Sequence, residues 1–149
     1  MLARCFVLVL TIGAMACAQP LPAGWKIFKD DKGACQMSTP ADWNQGMLPG
    51  MFKSSDGFIS VSLVLNTQGQ FKPMPELAMK MLGAVKVVEN SDKRTFFEGK
   101  PSTFGPVPST PWHIWIPAPK GSCNATVSLK KGADLAIARK VADSLQAVK

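Results

Sequence analysis

The stretch Trp112-His113-Ile114-Trp115-Ile116-Pro117-Ala118-Pro119-Lys120-Gly121-Ser122-Cys123-Asn124-Ala125-Thr126-Val127-Ser128-Leu129 decides the fold. Two runs of alternating character flank a turn rich in Pro and Gly, the pattern of an antiparallel hairpin. In the second run Cys123, Ala125, Val127 and Leu129 share one face, and Ser122, Asn124, Thr126 and Ser128 share the other. A half-buried strand reads this way, and its apolar face carries a cysteine.

That cysteine needs a partner, and the start of the chain says which cysteines are candidates. Met1 to Ala18 opens with Arg4, continues through Phe6-Val7-Leu8-Val9-Leu10-Thr11-Ile12 and closes on Ala16-Cys17-Ala18. A positive start, a short apolar run and a small-x-small cleavage site read as a secretory signal peptide. The expected layout is therefore residues 1–18 as signal peptide and 19–149 as one domain, secreted or periplasmic. A competing reading takes Ala14-Met15-Ala16-Cys17 as a lipobox, making Cys17 a lipid anchor. It is the weaker match, because Ala14 stands where such motifs carry Leu. No later apolar run is long enough to span a bilayer, so no transmembrane segment is expected in the mature chain.

Of the four cysteines, Cys5 and Cys17 leave with the leader, and Cys35 and Cys123 remain. An isolated pair in an exported chain is most simply one disulfide. The alternative, a pair of metal ligands, lacks any Cys-x-x-Cys or Cys-x-x-His spacing. Cys35 begins the alternation Cys35, Met37, Thr39 within the expected strand 34–39, so it can face the same core as Cys123.

The other elements follow from periodicity. Trp25–Lys29, Met51–Lys53 and Phe58–Leu65 are expected strands, the last with Ile59, Val61, Leu63 and Leu65 on one face. Pro75 to Val85 reads as a helix whose apolar stripe is Leu77, Met81, Leu82 and Val85. Val87–Glu89 and Arg94–Glu98 are further strands. Ser102 to Pro111 reads as a loop, since Pro106, Pro108 and Pro111 cannot donate ladder hydrogen bonds. A closing helix is expected from Ala133 to Ala147, with Leu135, Ala138, Val141, Ala142, Leu145 and Val148 at helical spacing.

This order of elements resembles a family. A Trp-containing start, a strand ending in Pro40-Ala41-Asp42-Trp43, a long alternating strand, a middle helix, more strands and a closing Ile137-Ala138-Arg139-Lys140-Val141-Ala142-Asp143-Ser144-Leu145 helix are similar to the PsbP-like fold. That fold is shared by an extrinsic photosystem II protein, a Ran-binding protein and many small bacterial envelope proteins. The resemblance implies an α+β architecture: an antiparallel β-sheet flanked by helices on both faces, an α/β/α sandwich. It also implies a non-enzymatic domain that acts by binding other proteins. It carries no catalytic or metal residue, and the photosystem role does not transfer.

The residues themselves offer little for chemistry. His113 is the only histidine, hence the sole candidate base for a small hydrolase. No Gly-x-Ser-x-Gly elbow accompanies it, and both cysteines are better used in a bridge. A copper or other metal carrier is a second alternative. Met37, Met47, Met51, Met74, Met79 and Met81 supply soft thioethers, with His113 and Met79 as the candidate ligands. Against it, methionine at helical spacing ordinarily fills core gaps. Asp30, Asp31, Asp42 and Asp56 fall in turns, where Asp bonds the local backbone. No cofactor motif is present.

The chain has a formal net charge of +7, with its basic residues scattered. That suits attraction to an anionic envelope surface or polymer, and lacks the basic stripe with interleaved aromatics expected for nucleic acid. What remains is surface: Phe104, Trp112 and Trp115 are the candidate rings for a partner, the equal alternative for Phe104 being a loop that tucks it over the sheet. The sequence therefore predicts an exported, non-enzymatic binding or assembly module, whose partner is an envelope protein or an anionic polymer.

Overall fold

A computed structural model describes residues 21–103 and 107–148. The opening hairpin is the centre of the molecule. Strand β8 (Ser109–Ala118) and strand β9 (Gly121–Lys130) pair antiparallel from Ser109↔Lys130 to Ala118↔Gly121. Gly121 is obligatory at the turn: its φ is +120°, and an added Cβ would lie 2.0 Å from the Asn66 carbonyl oxygen. The other strands are β1 (Trp25–Lys29), β2 (Cys35–Pro40), β3 (Asn44–Gln45), β4 (Met51–Lys53), β5 (Ile59–Asn66), β6 (Ala84–Asn90), β7 (Thr95–Gly99) and β10 (Gln146–Ala147). Helix α1 spans Glu76–Met81 and helix α2 spans Leu135–Asp143.

Seven strands form one antiparallel sheet in the order β3-β4-β5-β9-β8-β7-β6, and a smaller sheet runs β1-β2-β10. The small sheet and α2 cover one face of the large one. Met37, Phe52, Val61, Phe96, Ile114 and Val127 meet there with Ala138 and Val141 in one apolar core. Cys35 and Cys123, both fully buried, join the two sheets through a disulfide across 88 residues of sequence. In the chain-entropy model a loop of that size contributes about 4–5 kcal/mol. The bridge is consistent with a secreted or periplasmic location. Among the described residues no helix is long and apolar enough to cross a membrane.

The remaining face is open over β4 and β5, where Met51, Lys53, Ser60, Ser62 and Val64 are exposed. The chain is thus a mixed α/β protein dominated by antiparallel sheets, and the expected helical layer on each face is not built. The reason lies in α1. Expected to run through Val85, it stops at Met81, because Gly83 turns into the left-handed region (φ +79°) and Ala84 starts β6. Its expected core stripe points to solvent, with Leu77 71% and Met81 80% exposed, while Met79 turns inward at 4%. Six residues make too short a helix to form a layer.

Other boundaries move too: the expected strand Val87–Glu89 lengthens to Ala84–Asn90, and the closing helix starts at Leu135. The closing helix ends at Asp143, not Ala147. The Ser144 hydroxyl accepts from the Ser38 N–H at 2.8 Å, and Gln146 and Ala147 then pair with Gln36 and Cys35 as β10. Ser109–Pro111, expected in a loop, belong to β8. Pro111 and Pro117 are tolerated because β7 pairs only with Trp112 to Trp115, leaving both prolines beyond the two-sided part of the ladder.

Candidate functional site

The open face is built from residues that alternate away from the core, and the strand register places them in rows. One row crosses the sheet as Met51↔Ser62↔Thr126↔His113↔Phe97. A second runs Lys53↔Ser60↔Ser128↔Pro111. Hydroxyl side chains thus occupy the middle of the face, apolar and basic ones the β4 side, and rings the β7 side.

His113 sits at the junction. Its ring stacks on Phe97 with centroids 4.8 Å apart, and its Nδ1 lies 3.4 Å from the Thr126 hydroxyl. Burial lowers its pKa from the ordinary 6.5, favouring the neutral imidazole. Gly99 is required alongside: a Cβ there would come within 2.9 Å of Pro111 Cγ and 3.3 Å of His113 Nε2. No carboxylate bonds His113 among the described residues, so the geometry supplies no orienting acid of the kind a hydrolase triad uses.

The methionines do not gather around it. Met37 is in the main core, and Met74 and Met79 form a small cluster with Phe97. Met47 and Met51 line a groove at β4, and Met81 is on the outside of α1. Among the described residues no group of three or more His, Cys, Asp or Glu side chains could hold a metal ion.

The rings expected at a partner surface divide. Trp112 is a core residue, 9% exposed and 5.7 Å from the Phe96 ring, because its position in β8 faces the covered side. Its remaining edge lines a cleft of about 600 Å³ with Lys86, Lys130 and Lys131. Trp115 lies on the opposite face, half-buried and edge-on to Phe97. Phe104 lies outside the described residues, as do the leader and Cys17.

Two surfaces stand out. The first is an apolar ridge. Leu77, Met81, Leu82, Val85 and Val87 are all about half exposed or more, and they run from α1 onto β6, the last strand of the sheet. Beneath them Met79, Met74 and Phe97 are buried. An Asn90 side chain holds the approach to α1, accepting from the Met74 N–H at 3.0 Å and donating to the Met74 carbonyl at 2.8 Å. Behind the ridge, Arg94 pairs with Glu89 and Asp143, both at 2.8 Å, and ties β6 to α2. Burial alone would raise the Glu89 pKa. Hydrogen bonds from Arg94 and Ser91 and the Arg94 charge outweigh it and hold the carboxyl below its usual range.

The second surface is a groove of about 700 Å³ between the 45–51 loop and the hydroxyl rows. Met47, Leu48 and Met51 form one wall, Ser60, Ser62, Thr126 and Ser128 the floor, and Lys53 one side. Sequence reasoning named Met47 and Met51 only as thioethers for a metal carrier, and singled out none of the hydroxyl residues or Lys53. The signal was present as the polar face of β5 and β9, but the loop that turns a flat face into a groove is not periodic.

No family model matches the chain, and no curated protein matches it. Among solved structures, it is similar to a crystal structure from Bacteroides thetaiotaomicron VPI-5482, with a TM-score of 0.56 and 15% identity, covering 83% of this chain and 48% of that one. The likeness shows the fold alone. The chain spans about half the length of that structure.

Proposed function

We propose that the chain is an exported, non-enzymatic binding module of the bacterial envelope, a small PsbP-like relative that docks a protein partner along the α1–β6 ridge. The observation that carries this reading is the exposed apolar run Leu77, Met81, Leu82, Val85 and Val87 beside a terminal strand. Where exposed apolar side chains join into one patch they mark interaction sites, and an edge strand offers backbone groups for strand addition. The register of β6 against β7 shifts twice, between Ala84 and Lys86 and between Val87 and Glu89. Bulges of this kind disfavour pairing with a second flat edge. The partner is therefore a flexible extended segment of an envelope protein, with apolar side chains for the ridge and acidic ones to suit the chain's excess of basic residues.

The test uses a photo-crosslinking residue in place of Leu82, in the full chain expressed in its exporting host, with Lys32 on the β1–β2 turn as control. The reading expects a discrete protein adduct from position 82, none from 32, and loss of the adduct when Val87→Lys is added. An adduct from both positions, or from neither, rejects it.

A further inference from the structure

We infer that the groove between the 45–51 loop and the open face of the large sheet binds an acidic oligosaccharide, with a sugar carboxylate against Lys53. The groove of about 700 Å³ is within the range of small-ligand sites. Its floor is made of four small hydroxyl side chains, Ser60, Ser62, Thr126 and Ser128, two on each of β5 and β9. Each hydroxyl both donates and accepts, as do the hydroxyls of a sugar, so the two sets satisfy each other without a fixed polarity. Short side chains also let a flat ring lie close to the sheet. The Met47, Leu48 and Met51 wall offers apolar contact to the C–H surface of such a ring, and Met47 is fully exposed at 100%. Neighbouring strands are about 4.8 Å apart, so the floor from β4 across β5 to β9 extends about 10 Å, the scale of a disaccharide unit of an oligosaccharide.

Charge sets the ligand class. Lys53 is the one ionisable residue lining the groove, and it has no ion-pair partner among the described residues. With one cation and no anion, the lining complements a carboxylate and repels a cationic sugar. An acyl chain fits the methionine wall but would cover the floor hydroxyls without bonding them, which is unfavourable for polar groups taken from water. The groove and the α1–β6 ridge use different residues, so this site stands or falls apart from the protein-docking reading.

The experiment titrates the folded, disulfide-bonded protein with hexameric oligogalacturonate while following backbone amide signals. Fully methyl-esterified hexamer and decanoate are titrated in parallel. The expected result is shifts at Lys53, Ser60, Ser62, Thr126 and Ser128, with weakening of about tenfold on esterification, or about 1.4 kcal/mol. Lys53→Gln should weaken the acid form by a similar factor and leave the ester unchanged. Ser62→Leu, at an exposed position, should abolish both without changing the melting temperature. The inference is overturned by an absence of shifts up to about 10 mM, well above a millimolar dissociation constant. It is equally overturned by shifts outside the groove, by equal binding of acid and ester, or by tighter binding of decanoate than of the oligosaccharide.

Discussion

In α2, Ala138, Val141 and Ala142 are essentially inaccessible and sit in the main core; in α1, Leu77 and Met81 stand in solvent and Met79 alone is buried. Both segments carry apolar residues at helical spacing, yet the chain uses the two patterns in opposite ways. The flanking sequence explains the difference. Asp134 caps α2 by accepting from the Ala136 and Ile137 N–H groups at 2.9 and 3.0 Å. Its far end is held by Ser144 and by β10 on the small sheet. Pro75 offers α1 no side-chain cap, and Gly83 ends it after six residues. A stripe on a well-anchored helix becomes core, whereas a stripe on a single short turn over an edge strand becomes surface. That contrast underlies the proposal that the ridge meets a partner.

The contrast can be broken by measurement. The largest effect belongs to the α2 side, where the staple lies: the double substitution Cys35→Ala, Cys123→Ala should cost about 4–5 kcal/mol in denaturant unfolding. Next, Leu145→Ala and Met79→Ala, at side chains 7% and 4% exposed, should each cost about 2–4 kcal/mol. Met81→Ala and Leu77→Ala should stay within about 0.5 kcal/mol. Equal losses for Met79→Ala and Met81→Ala would mean that the α1 stripe packs on this chain after all, and the ridge would then be no docking surface. A smaller step is the cap: Asp134→Ala should cost about 1 kcal/mol.

How much of this was legible follows the same line. The hairpin, the Cys35–Cys123 bridge and the strand faces of β2, β5 and β9 were readable because period-two alternation and cysteine pairing are local or nearly unique signals. Trp112 and Ile114 were separable from His113 and Trp115 by parity alone, although parity does not say which face is covered. That choice depends on where the small sheet and α2 return, a long-range fact. For this reason Trp112, expected at a surface, lies in the core. The rotation of α1 was hidden because Met79 falls outside its apparent stripe. The groove was hidden because its wall comes from the irregular segment around Met47 and Leu48.

The smallest predicted effect probes the boundary between the two surfaces. His113 stacks on Phe97, which α1 and Met74 cover, while its Nδ1 faces Thr126 on the groove floor. Burial holds its folded pKa below the ordinary 6.5. Between that lowered value and 6.5 the unfolded chain binds more protons than the folded one, so stability rises with pH in this window. It is fully present above 6.5 and is lost as the pH falls through the folded value. The Glu89 carboxyl, also depressed, acts in a separate and more acid window below its ordinary 4.5. Denaturant midpoints taken from about pH 8 to about pH 5 should therefore fall modestly for the native chain and stay flatter for His113→Gln. Parallel curves would mean that water reaches the ring freely. In that case the dry cluster under α1 ends at Phe97, and His113 belongs with the open groove.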